Sequence, residues 1–156
     1  MTQQRYAIDA CALINASKAY NLKKKAFSHI WGKFDELFEN GILVSNIEIF
    51  DELKDKDLQD WAKKHKESFL PLDEGTQKRT TEILAAYPTL VKIRPKGASS
   101  NGDPFLIATA IQNNCTVITD EKVGDEKTGD YKIPNVCKKY DIDCISLSQF
   151  LDSVLE

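Results

Sequence analysis

The sequence predicts an α/β fold, a mainly parallel central sheet flanked by helices on both faces, and three observations predict it. Short β-prone runs alternate with segments of helical period along the chain. Two of those runs, "ILVS" and "CTVIT", read as continuous apolar strands of the kind covered on both faces. No internal repeat, low-complexity tract or linker interrupts the alternation, so a single domain over residues 1–156 is expected. A chain of this size buries roughly 68–70% of its unfolded surface, enough for one core without disulfides.

The first strand is expected in "RYAID", followed by a helix over "ACALINASKAY". Phe27, Ile30, Trp31, Phe34, Leu37 and Phe38 then recur at helical spacing, which makes one apolar stripe. Asn40-Gly41 ends that helix, because glycine tolerates the left-handed conformation that closes helices. "ILVS" is the next strand, and "NIEIFDELKD" the next helix, capped by Ser45 or Asn46. "DLQDWAKKHKESF" and "EGTQKRTTEILAAY" predict two amphipathic helices separated by "LPLD", the second ended by Pro88. "RPKGASSNG" reads as a loop. "DPFLIATAIQNN" predicts a largely buried helix with Pro104 in its first turn, and "CTVIT" the strand behind it. "VGDEKTGDYKIPN" reads as a polar loop, "DCISL" as a terminal strand and "SLSQFLDSVLE" as a closing helix.

Composition removes several function classes. Hydrophobic residues at 42% and charged residues at 29%, with 7 Gly and 5 Pro, describe an ordinary globular protein and not a disordered one. "MTQQRYAIDA" lacks the basic start, long apolar run and small-residue cleavage site of a secretion signal. No apolar stretch approaches the roughly 20 residues that cross a bilayer, so a soluble cytoplasmic protein is expected. Cys11, Cys115, Cys137 and Cys144 sit in apolar stretches and are expected as small core residues; His29 and His65 lack a nearby cysteine pair of zinc-binding spacing. A net charge of −3 argues against gripping nucleic acid over the whole surface. Local basic stretches remain as phosphate contacts: Lys23, Lys24 and Lys25, and the group Lys92, Arg94 and Lys96.

Four acids make the candidate site. In open α/β sheets ligands bind beyond the carboxyl ends of the strands. Asp9 and Asp120 each follow a strand directly, and Glu52 and Asp103 lie on helices that start from the same region. Crowded carboxylates repel unless neutralised, and a hard divalent cation is the usual remedy. Each acid has a plainer reading: Asp9 and Asp103 as helix caps, Glu52 as a solvated residue beside Lys54, and Asp120 as a turn acid. Glu48 shares a helical face with Glu52, and Glu121 adjoins Asp120, so both are secondary candidates.

In this order, "YAIDACALIN", "ILVSNIEIFDEL", "DPFLIATA" and "VITDE" resemble the four acidic motifs of PIN domains, and "KIPNVCKKYDIDCISLSQFL" resembles the tail of a PIN-like subfamily. The resemblance implies a PIN-like three-layer fold and a site for Mg2+ or Mn2+ built from Asp9, Glu52, Asp103 and Asp120, with Thr119 beside it. It implies hydrolysis of RNA phosphodiester bonds, with Asp9 as the central ligand and Glu52 or Asp120 orienting the attacking water. It further implies the toxin of a toxin-antitoxin pair, with a cognate antitoxin and a homodimer as partners. Two alternatives stand beside it. One is a PIN-like module that binds without cleaving. The other is a doubly wound phosphatase or phosphoreceiver, whose usual second acid two residues after the first is here Cys11.

Overall fold

A computed structural model describes residues 3–90 and 102–155. Among the described residues five strands form the sheet: β1 (Tyr6–Ile8), β2 (Leu43–Asn46), β3 (Phe69–Leu70), β4 (Thr116–Ile118) and β5 (Cys144–Ile145). Eight α-helices connect and close it among the described residues: α1 (Ala10–Ala19), α2 (Ser28–Glu39), α3 (Ile47–Glu52), α4 (Lys56–Lys64), α5 (Glu74–Ala86), α6 (Gly102–Asn113), α7 (Ile133–Lys139) and α8 (Leu147–Val154). Every strand pairing is parallel, and the order is β3-β2-β1-β4-β5. The α/β expectation is met, with a sheet that is parallel throughout.

That order fixes where a ligand belongs. From β1 the chain builds outward to β2 and β3 on one side, then returns to add β4 and β5 on the other. Right-handed crossovers in opposite directions put their helices on opposite faces, which makes the three layers. Accordingly α2 packs on β2 from one side, while α6 spans β1, β2 and β4 from the other. The reversal between β1 and β4 opens a crevice at their carboxyl ends, and Asp9 and Thr119 are the residues that leave those two strands.

The core explains why the predicted stripe forms a helix. Ile30, Trp31, Phe34, Leu37 and Phe38 of α2 are buried, whereas Phe27 is only half-buried in the short 3-10 turn before it. Trp31, Phe34 and Phe38 meet Trp61 of α4 at ring-centroid separations of 5.0, 6.1 and 5.4 Å. Gly41 takes φ +71°, the left-handed turn that frees the chain to enter β2.

Three local readings are corrected. Phe69 belongs to no helix: α4 stops at Lys64, a 3-10 turn follows, and Phe69 and Leu70 pair with Ser45 and Asn46 as an edge strand. A two-residue strand is too short to show a period of its own, and Phe69 is fixed by packing on Phe38 and Phe50. The helix over "NIEIFDELKD" ends at Glu52, because Asp55 caps a new helix by accepting from the Leu58 amide at 3.0 Å. The polar loop gives way to α7 at Ile133. Pro134 reads as a breaker, yet it lies in the first turn, where a missing N–H costs nothing.

Asn46 shows how the sheet end is tied to the helices. Its Oδ1 accepts from the Ile49 amide at 3.0 Å, capping α3, and its Nδ2 donates to Thr109 Oγ1 of α6 at 3.4 Å. The side chain is fully buried, so nothing replaces these bonds if it is truncated. Asn46→Ala is expected to cost about 1–2 kcal/mol and Asn46→Ser less, since serine still caps. Urea unfolding of the two variants checks this, and equal stability of alanine and wild type would remove the cap from the account.

Candidate metal centre

Oxygens of Asp9, Asp103 and Glu121 all lie within 4.8 Å of one another. Three different segments bring them there. Asp9 is at the N-cap position of α1, directly after β1; Asp103 is in the first turn of α6; Glu121 follows β4 by three residues. Asp9 and Asp103 are buried, and Glu121 is half-buried.

Two side-chain donors, a hydroxyl and a thiol, orient Asp9. Thr119 Oγ1 donates to Asp9 Oδ2 at 2.7 Å, and the Cys11 thiol donates to the same oxygen at 2.9 Å. The backbone amides of Ala10 and Cys11 also stabilise the carboxylate. Thr119 Oγ1 also accepts from the Glu121 amide at 3.1 Å, so a single buried hydroxyl locks two of the three acids together. Burial raises the pKa of the Asp9 carboxyl above the ordinary aspartate range, and the bonds from Cys11 and Thr119 only partly offset it. Burial and the Asp9 charge likewise push the Cys11 thiol up, which keeps it a protonated donor.

The plainer readings of Asp9 and Asp103 fare differently. Asp9 occupies the N-cap position without making a side-chain capping bond, because its carboxylate is turned to Thr119 and Cys11. Asp103 is the second residue of α6, in its first turn.

After β4 the two adjacent acids divide. Glu121 joins the cluster, whereas Asp120 braces the frame: its Oδ1 accepts from the Leu147 amide at 2.9 Å at the start of α8, and its Oδ2 accepts from Asn15 Nδ2 at 2.7 Å. Glu48 and Glu52 are half-buried on α3, outside the cluster, although α3 packs against both α1 and α6, the helices that carry Asp9's turn and Asp103. Lys23 pairs with Asp57 at 3.4 Å, and Lys24 and Lys25 are exposed. Lys92, Arg94 and Lys96 lie outside the described residues.

These residues suit a hard divalent cation. Magnesium–oxygen distances near 2.0–2.1 Å put opposite ligands about 4.2 Å apart, so a span of up to 4.8 Å asks for little inward movement. Three carboxylates in a partly dry crevice repel one another, and a cation relieves that repulsion.

Cys11 and Asn15 are the positions that motif reading passed over. Cys11 looked like a core residue, as Cys115 and Cys137 are, yet its place two residues after Asp9 aims the thiol back at the carboxylate. Asn15 is an exposed amide on α1, a residue type that needs no protein partner, so its bond to Asp120 shows only in the fold.

A family model described as "Domain of unknown function (DUF4411)" matches residues 6–154 of the chain. No curated protein matches it. Among solved structures, the chain is similar to VapBC2 from Rickettsia felis bound to a promoter DNA fragment, with a TM-score of 0.49 and 14% identity over 92% of this chain and 98% of that one. It is also similar to FitAB bound to an IR36 DNA fragment, with a TM-score of 0.45 and 18% identity over 91% of this chain and 94% of that one.

Proposed function

The chain belongs to the DUF4411 family, whose description carries no activity, and we propose from its residues that it is a metal-dependent ribonuclease of the PIN type, a single domain over residues 1–156. The observation that carries this reading is the convergence of Asp9, Asp103 and Glu121 within 4.8 Å at the carboxyl ends of β1 and β4. The order of the four acidic motifs along the sequence supports it independently.

In this reading Asp9, Asp103 and Glu121 hold Mg2+ or Mn2+, Glu52 closes the pocket from α3, and Asp120 braces α1 and α8. A bound divalent ion supplies a more acidic water and positive charge for the phosphate in the displacement. Thr119 and Cys11 hold one oxygen of Asp9, which fixes the carboxylate in place. Glu52 orients the attacking water. Lys23, Lys24, Lys25, Arg94 and Lys96 contact phosphates, and the toxin role brings a cognate antitoxin and a homodimer as partners.

Incubation with mixed RNA is expected to give cleavage with magnesium or manganese, none with a chelator, and binding without turnover with calcium. At a hundred times its dissociation constant the ion adds about 2.7 kcal/mol of stability. For a chain of this size that is a melting-temperature rise of roughly 5–10 °C. The absence of both cleavage and a thermal shift at millimolar metal would sink the reading.

A further inference from the structure

All four cysteines are free thiols, and two of them meet across a packed joint. Cys137 lies in the last turn of α7, and Cys144 is the first residue of β5. The chain between them closes on itself. Asp141 takes φ +55°, the left-handed conformation, so the Ile142 amide reaches back to the Cys137 carbonyl at 2.9 Å and the Asp141 amide to the Lys138 carbonyl at 3.3 Å. This turn is anchored at Cys137 itself and brings β5 back to pack on α7.

The sheet fixes the other partner. Cys144 pairs with Val117 of β4, whose amide donates to the Asp143 carbonyl at 2.9 Å, and the Thr119 amide donates to the Ile145 carbonyl at 2.9 Å. With both elements held, the sulfurs come together: the Cys137 thiol donates a hydrogen bond to the Cys144 sulfur.

The two sulfurs are not equivalent. Cys137 is fully buried, whereas Cys144 is half-buried. Their hydrogen bond holds the Cys144 thiol below the usual cysteine range and, with burial, pushes the Cys137 thiol above it. Cys144 is therefore the member that a dissolved reagent reaches and the one that carries thiolate. The other two cysteines differ on both counts. Burial pushes the Cys115 thiol up, and burial together with the Asp9 charge pushes up the Cys11 thiol, which is already engaged as a donor to Asp9.

We infer that Cys137 and Cys144 are a redox-modification site, a dithiol that peroxides convert to an intramolecular disulfide. The Cys144 thiolate attacks one peroxide oxygen, the O–O bond breaks, and Cys144 becomes a sulfenic acid while the departing hydroxide takes up a proton as water. The Cys137 sulfur then attacks Cys144 Sγ, the S–O bond breaks, and the oxygen leaves with the Cys137 proton as a second water. In sum, two thiols give up two electrons and two protons, and hydrogen peroxide is reduced to two molecules of water. The site stands apart from the ribonuclease reading, because neither sulfur belongs to the acidic cluster.

The test is oxidation of the reduced native protein with hydrogen peroxide, followed by alkylation of the remaining thiols in urea and mass spectrometry without reductant. Wild type is expected to lose the mass of two hydrogens and to retain Cys11 and Cys115 as alkylated thiols. The tryptic peptide holding Cys137 should be joined to the one holding Cys144 until dithiothreitol separates them. Cys144→Ser should abolish that mass loss, and Cys137→Ser should leave a sulfenic acid on Cys144 that dimedone traps. Three results overturn the site: dimedone trapping of wild-type Cys144 with no joined peptide, a disulfide that engages Cys11 or Cys115 or links two chains, or four thiols left unoxidised. The peptide map is read on wild type alone, so it decides the matter even where a serine variant fails to fold.

Discussion

Asp9→Asn is expected to raise the melting temperature of the metal-free protein while abolishing both metal-induced stabilisation and RNA cleavage. The stability gain follows from the raised pKa of the buried carboxyl. An aspartate that ionises more readily in the unfolded chain than in the folded one releases its proton on unfolding, so the folded state loses stability as pH rises through the interval between the two values. Below the ordinary aspartate range both states are protonated and the substitution is nearly silent. Above the folded value the full penalty is in place, and the amide escapes it. Asparagine still offers an oxygen to the Thr119 hydroxyl, so the frame of the site survives. Calorimetry in a chelator from pH 3 to pH 8 should show the difference growing with pH to a rise on the order of 5 °C. Millimolar magnesium or manganese should then reverse the order, stabilising only wild type. A variant that melts below wild type at neutral pH without metal would mean that the carboxylate is a structural anion and not a strained ligand.

The frame was legible in the sequence because it rests on periodicity and on backbone rules. The apolar stripe from Ile30 to Phe38 became α2, the strand expected in "CTVIT" became β4, and Asp9 and Thr119 stand at the strand ends that the alternation predicts. What was illegible is tertiary. Phe69 is a strand residue only because β2 offers it an edge, and α7 was hidden by a proline that the first helical turn tolerates. The same holds within the site. A string of letters shows Asp120 and Glu121 side by side, but consecutive residues after a strand point in different directions. Which of them meets Asp9 depends on where α1 and α8 lie, and Asn15 and Leu147 decide it by engaging Asp120. Cys11 reads as a core residue for a related reason: its hydrogen bond runs back to a carboxylate two residues earlier, a local turn that hydrophobicity does not register.

That division of labour between neighbours sets the last expectation, that Asp120→Ala and Glu121→Gln fail in opposite ways. Asp120 accepts two hydrogen bonds, from the α8 amide and the α1 side chain, and alanine leaves both donors without it. Hydrogen bonds to a charged acceptor contribute about 1.5–3 kcal/mol each, but Asp120 is only half-buried and water recovers part of the loss. A net cost on the order of 2 kcal/mol lowers the melting temperature by roughly 4–8 °C. Ser146, which caps α8 through the Gln149 amide at 3.1 Å, keeps that helix formed, so metal-induced stabilisation and cleavage at moderate temperature should persist. Glu121→Gln should do the reverse. It removes one of three crowded charges, so the metal-free protein is expected to melt no lower than wild type, while the metal-induced shift and RNA cleavage disappear. Thermal melts with and without manganese, paired with a cleavage assay, separate the two variants. The opposite ranking, with Asp120→Ala inactive yet stable and Glu121→Gln active, would move the metal to Asp120 and leave Glu121 as a bystander held by Thr119.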